Sequence, residues 1–275
     1  MNRVKELFRV EKPVIALLHL MPLPGDPGYD RVGGMRAVVQ RARFELKALQ
    51  EGGVDGIMFA NEFSLPYQSP APTAIVAAMA YIIGELRSEI KVPFGVNVVM
   101  DSINCMELAG AVEADFARSM FTGAYVGVCG TRNTNIAGVM RRKHELNRPD
   151  TLMFYMVNPE SDANLAGTDN KVLAKIICFH CNPDALCISG LSAGSPVDLD
   201  AIRDVQTISG GVPVFCNTGC HCGNVRSIMA IADGAFVGTG FKVDRKFQNA
   251  VDPQEVEKFM KSVFALREAK EGTIR

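Results

Sequence analysis

Short runs that are apolar at nearly every position, rich in β-branched or aromatic side chains, recur down this chain. They alternate with longer stretches in which apolar residues return every three or four positions. A continuous apolar run suits a parallel strand covered on both faces, and the longer spacing suits an amphipathic helix lying over it. The predicted strands are VIALLH (14–19), GIMFAN (56–61), FGVNVV (94–99), DFARSM (115–120), LMFYMV (152–157), ALCIS (185–189), VPVFCN (212–217) and GAFVG (234–238). The predicted helices cover 35–51, 73–90, 104–113, 136–147, 170–179, 197–208, 224–232 and 253–269, with Gly52 and Gly53 stopping the first. Eight strand–helix units predict an α/β fold, a (β/α)₈ TIM barrel in one domain spanning 1–275.

Composition agrees. A length of 275 residues suits a barrel of about 250. With 48% hydrophobic and 21% charged residues, the chain can bury a large core and lacks the signature of disorder. A formal charge of -1 leaves no electrostatic footprint for nucleic acid or anionic lipid, and RRKHE (141–145) reads as a solvated helix face. The first apolar run, Val14 to Leu18, is too short for a signal segment or a membrane span, so a cytoplasmic protein is expected. Eight cysteines in a chain this long are too dilute for a disulfide scaffold and are expected to be thiols.

In this barrel, chemistry gathers at the carboxyl ends of the strands. Those ends are polar here: His19, Asn61, Glu62, Asn97, Asp101, Arg118, Asn158, Ser189, Asn217 and Thr218. His19 is the expected general acid/base, because an unperturbed imidazole titrates near working pH. Glu62 and Asp101 are the other catalytic candidates, as base, as orienters of His19 or as ligands of a divalent ion. Asn61, Asn97, Arg118, Asn158, Ser189, Asn217 and Thr218 are expected to bind substrate.

The last two loops carry glycines at the place where this fold holds phosphate, so Gly219, Gly238, Thr239 and Gly240 are the expected anion cradle and Lys242 an anion partner. No lysine ends strands four, five or six, which weighs against a Schiff-base aldolase. Cys178 and Cys181 form a C-x-x-C at the amino face, where stability rather than chemistry is expected. Cys220, His221 and Cys222 are adjacent, which suits tetrahedral zinc poorly.

The stretches ALLHLMPLPGDPGYD, FTGAYVG, DALCISGLSAGSPVD, NTGCHCGNV and IADGAFVGTGFKVD together resemble the BtpA/SgcQ family, more the SgcQ branch than the photosynthetic one. The matching positions are His19, Pro22, Asn97, Arg118, Thr122, Gly123, Ser189, Gly190, Asn217, Thr218, Gly219, Asp233, Gly234 and Lys242. Where the photosynthetic branch has an Arg-Asn-Asp segment after strand three, this chain has Met100, Asp101 and Ser102. The resemblance implies a phosphate-binding barrel and brings no secure reaction; a nucleoside triphosphatase label finds no P-loop here.

The leading expectation is an enzyme that isomerises, epimerises or cleaves a small phosphorylated sugar or related metabolite by proton transfer. Two alternatives stand beside it: a non-catalytic assembly or regulatory protein, and a phosphohydrolase using a divalent ion. No other cofactor is expected. AIVAAMAYII (74–83) serves either core packing or contact between copies, which leaves a homo-oligomer open.

Overall fold

The computed structural model describes residues 2–160, 162–192 and 194–273. The eight expected strands are present: β1 (Val14–His19), β2 (Gly56–Ala60), β3 (Phe94–Asn97), β4 (Phe116–Ser119), β7 (Leu152–Met156), β9 (Ala185–Ile188), β10 (Val214–Cys216) and β11 (Gly234–Val237). They pair in parallel in the order β1-β2-β3-β4-β7-β9-β10-β11 and close back on β1. Register sets His19 level with Ala60 and Ala60 level with Asn97.

The helices are α2 (Gly34–Glu51), α3 (Thr73–Leu86), α4 (Ser102–Ala111), α5 (Ile136–Glu145), α6 (Asn170–Cys181), α7 (Leu199–Gln206), α8 (Val225–Ile231) and α9 (Pro253–Thr273). Their starts follow local chemistry: Asp101, Asn135, Asp169 and Asp198 each accept a backbone N–H of the following first turn. In α3, Ile75, Met79, Ile82, Ile83 and Leu86 are buried within the protein, so the apolar run 74–83 is used largely for core packing. Among the described residues no helix is long and apolar enough to cross a membrane.

Two parts were not expected. Helix α1 (Arg3–Phe8), capped by Asn2, closes the lower end of the barrel by burying Val4 and Phe8, and the Phe8 ring lies 5.7 Å from that of Phe116. The strands β5 (Ala124–Gly127), β6 (Gly130–Asn133) and β8 (Asp162–Asn164) form a small antiparallel sheet, the first two inserted in the fourth crossover and the third in the fifth. These segments are only three or four residues long and mix polar with apolar positions, so they lack the continuous apolar signal that marked the barrel strands.

The core has two layers. Inside the barrel, Ile15, Leu17, Met58, Phe116, Phe154, Phe215 and Phe236 fill the lumen. The Phe154 ring stacks within 5.2 to 5.5 Å of Phe116, Phe215 and Phe236. The larger layer, between strands and helices, contains Leu18, Leu46, Phe59, Met79, Val96, Ile188, Ile202 and Phe259.

At the lower rim an aspartate stands just before every second strand. Asp55, Asp115, Asp184 and Asp233 accept the backbone N–H of Val14, Phe94, Met153 and Val214, at 2.7, 2.9, 2.8 and 2.9 Å. Each aspartate's own N–H donates to the carbonyl of that same residue. Four two-bond clips thus join the strands in neighbouring pairs, and Arg267 forks onto Asp55 while Arg3 pairs with Asp184.

Candidate functional site

At the upper rim the strand ends enclose a cavity of about 650 Å³, lined by His19, Glu62, Arg118, Glu160, Asn217, Thr218 and the last two loops. Arg118, on β4, is its central cation. Its Nη1 donates to Asn217 Oδ1 at 2.7 Å, and Asn217 Nδ2 donates to Ser189 Oγ at 2.9 Å. Glu62 lies 3.9 Å from Arg118 Nη2, and the guanidinium sits 4.9 Å over the Phe236 ring. With its amide turned to match its neighbours, Asn97 donates to the Arg118 carbonyl at 2.9 Å and accepts from Nη2 at 3.3 Å. Burial of the charge is offset by these bonds from Nη1 and Nη2 and by Glu62, while Arg118 Nε has no hydrogen-bond partner among the described residues.

One end of the cavity is backbone. Gly194, Ser195, Gly219, Cys220, Thr239 and Gly240 line it, and the amides of Gly219, Cys220, Thr239 and Gly240 donate to no acceptor among the described residues. Glycine is required there: Gly219 has φ +70°, and a Cβ at that position would lie 2.2 Å from the Ser195 carbonyl. A Cβ on Gly240 would lie 2.2 Å from the Cys220 carbonyl, so three loops meet by their main chains. Arg245 brings a cation to the same wall, in a left-handed turn with Asp244. Unpaired amides beside an arginine suit an anion.

The other end holds the titratable groups. Glu160, in the loop after β7, is raised to about 7 by burial and by the nearby Glu62 carboxylate, with Arg118 opposing. Tyr67 donates its hydroxyl to Glu62 Oε2 at 3.0 Å. His19 is buried with neither ring nitrogen hydrogen-bonded among the described residues, beside the rings of Phe63 and Phe247 at 6.2 and 5.5 Å. Burial, and then the charges of Lys242 and Arg118, hold its pKa well below the usual imidazole range, so it is neutral near pH 7.

Residues 10–265 match the BtpA family. The chain belongs to that family. It is 42% identical to the sgc region protein SgcQ of Escherichia coli strain K12, over 97% of this chain and 100% of that one. It is 29% identical to the photosystem I biogenesis protein BtpA of a Synechocystis strain, over 94% and 90%. Among solved structures, tryptophan synthase of Mycobacterium tuberculosis superposes with a TM-score of 0.61 at 12% identity, over 94% of this chain and 97% of that one. The geranylgeranylglyceryl phosphate synthase of Thermoplasma acidophilum, in complex with sn-glycerol-1-phosphate, superposes at 0.54 with 13% identity, over 94% and 95%. At such identities the likeness establishes the TIM-barrel fold alone.

Several expected site residues of this BtpA-family barrel are occupied elsewhere. Asp101, expected to be catalytic, is the cap of α4: its carboxylate accepts from Asn104 N, Asn104 Nδ2 and Ala71 N at 2.7 to 3.0 Å, away from the cavity. Asn61 accepts from Val99 N at 2.8 Å and faces a neighbouring cleft. Asn158 exchanges two bonds with the Ser189 backbone, and Thr218 Oγ1 accepts from Gly190 N at 2.6 Å. Ser189 meets the cavity only through Asn217. Lys242, expected at the anion, is fully buried behind it, donating to the Phe247 carbonyl at 2.7 Å with its ammonium 4.6 Å over the Phe63 ring; burial lowers its pKa to about 8.

Sequence reading missed Glu160, Arg245 and the Gly194–Pro196 segment. Glu160 stands two residues beyond Asn158, a position the strand-end rule would reach; Arg245 follows the last strand by eight residues, and only its fold-back brings it to the site.

The cysteine-rich loop after β10 does not converge. Cys220 turns inward against Cys216, Cys222 Sγ faces the Glu255 carbonyl at 3.6 Å, and His221 Nδ1 accepts from Gly223 N at 3.0 Å. Burial and these neighbours raise the thiols of Cys220 and Cys222, which works against thiolate formation. Among the described residues no group of three or more His, Cys, Asp or Glu is placed to hold a metal ion.

Proposed function

We propose that this protein is an enzyme that moves a proton on a small phosphorylated sugar or related metabolite, in an isomerase, epimerase or lyase reaction. The observation that carries the reading is one cavity with an anion-receptive wall of unpaired amides and Arg245 at one end and a carboxyl group poised near neutrality at the other. The phosphate binds at Gly219, Cys220, Thr239 and Gly240, as the last two loops of this fold commonly do. Arg118, held by Asn217 and Asn97, binds a substrate oxygen and stabilises negative charge that develops on it.

Burial, and then repulsion from the Glu62 carboxylate, favours the protonated form of Glu160 near neutral pH, with Arg118 opposing. Glu160 is therefore the acid/base, a role its pKa of about 7 suits and for which sequence reading had named His19. His19, neutral and with no hydrogen-bond partner among the described residues, is left to donate a hydrogen bond to the substrate.

The test is ligand-induced stabilisation against inorganic phosphate and a panel of sugar phosphates. A ligand at a hundred times its Kd raises stability by about 2.7 kcal/mol. Gly219→Ala abolishes the shift by forcing the Ser195 carbonyl out of the cradle. No stabilisation by any phosphorylated compound overturns the proposal.

A further inference from the structure

A second chamber of about 490 Å³ opens beside the first and shares Glu62, Arg118, Glu160 and Phe247 with it. Its remaining lining differs in kind: Leu65, Val99, Met120, Val128, Met156 and Pro159 are among a largely apolar set, in which Tyr67, Asn97 and Ser119 are the uncharged polar members. Two charged residues also reach it, Arg132 and Asp162; Arg132 Nη2 pairs with Asp162 at 2.9 Å, the guanidinium lies 5.5 Å over the Tyr125 ring, and Arg132 Nε has no hydrogen-bond partner among the described residues. That pair ties β6 to β8 across β5, so the inserted sheet stands over this chamber as a fixed roof.

The first chamber thus ends in an anion wall, the charged groups form a waist, and the second chamber is apolar beyond the waist. A bare sugar phosphate would fill the first two and leave the third to water. We propose that the second chamber is an apolar subsite of the same active site, and that the substrate is a phosphorylated molecule carrying an alkyl or aromatic group on the far side of its reacting carbon. This rests on the phosphate reading given above. The methionines suit such a group because their flexible thioethers mould to irregular apolar shapes.

Calorimetric titration with the n-alkyl phosphates from methyl to octyl tests it. Affinity is expected to be flat while the chain ends at the waist and then to rise by about fourfold for each methylene that enters the chamber, with a negative heat-capacity change. Val128→Asp, at the exposed hairpin tip, and Met156→Glu should flatten the rise and leave methyl phosphate binding unchanged. Val128→Asp keeps the test available if Met156→Glu fails to fold. Equal affinity for methyl and octyl phosphate, with binding still abolished by Gly219→Ala, overturns this inference and leaves the phosphate reading standing. A rise that both substitutions leave intact also overturns it, because the chain then lies elsewhere. No binding by any member of the series overturns both.

Discussion

The two rims of this barrel are both polar and differ in how far their hydrogen-bonding capacity is met, with Arg267 Nε the exception below. At the lower rim the carboxylates of Asp55, Asp115, Asp184 and Asp233 each receive a backbone N–H, and Arg267, Arg3 and Gln206 add further bonds to three of them. At the upper rim, among the described residues, His19 has no hydrogen-bond partner and four amides have no acceptor, and Glu160 is raised to about 7. Polarity at a strand end therefore does not mark a site by itself. Unmet hydrogen-bonding capacity in a walled space does, because folding spent free energy to leave it unmet.

The largest effect that would break this contrast lies below. Asp55→Ala leaves Arg267 and the Val14 N–H without their buried partner, and should cost about 3–5 kcal/mol in chemical denaturation while phosphate affinity in the remaining folded protein is unchanged. Comparable loss of ligand binding would mean that the two rims are coupled.

Next comes Glu160→Gln at the upper rim, expected to lower turnover of a substrate once found by about a hundredfold or more. Its effect on stability can be read without a substrate. The native carboxyl titrates near 7 against an ordinary 4.5, so its contribution is fully present below about 4.5 and is lost as pH rises through 7. The glutamine variant should flatten the stability profile across that window and be more stable than the parent at pH 8, by on the order of 2 kcal/mol. An unchanged profile removes Glu160 from the acid/base role.

Arg245→Ala should weaken inorganic phosphate by about tenfold, the loss of one charge-assisted contact, with little change in melting. Smallest of all, Cys222→Ser should shift stability by less than about 0.5 kcal/mol and leave phosphate binding within twofold, since its thiol faces the Glu255 carbonyl outside the cavity.

What could be read from the chain beforehand follows the strength of each local signal. The barrel strands announced themselves because a strand covered on both faces is apolar throughout; Phe59, Phe154 and Phe236 are all but inaccessible. The inserted strands did not, since AYVG, GTRN and DAN are half exposed and are held by register and the Arg132–Asp162 pair. Within the site, Arg118, Glu62, Asn217 and Gly219 were legible from position alone. Asp101 was misplaced because a helix cap and a catalytic carboxylate occupy the same kind of place after a strand, and only its three hydrogen-bond donors tell them apart.

The sequence by itself determined the architecture and the rim at which polar residues collect, because periodicity and loop chemistry are local properties that survive in one dimension. It also carried the family, through motifs along most of its length. Which polar groups are satisfied, and so which are free for a ligand, depends on distances between residues far apart in the chain. Arg118 and Asn217 are separated by 99 positions and lie 2.7 Å apart. Glu160 reaches Glu62, and Arg245 reaches the Gly219 loop, only once the barrel has closed, so hydrogen bonding, burial and pKa were decided by the tertiary structure alone.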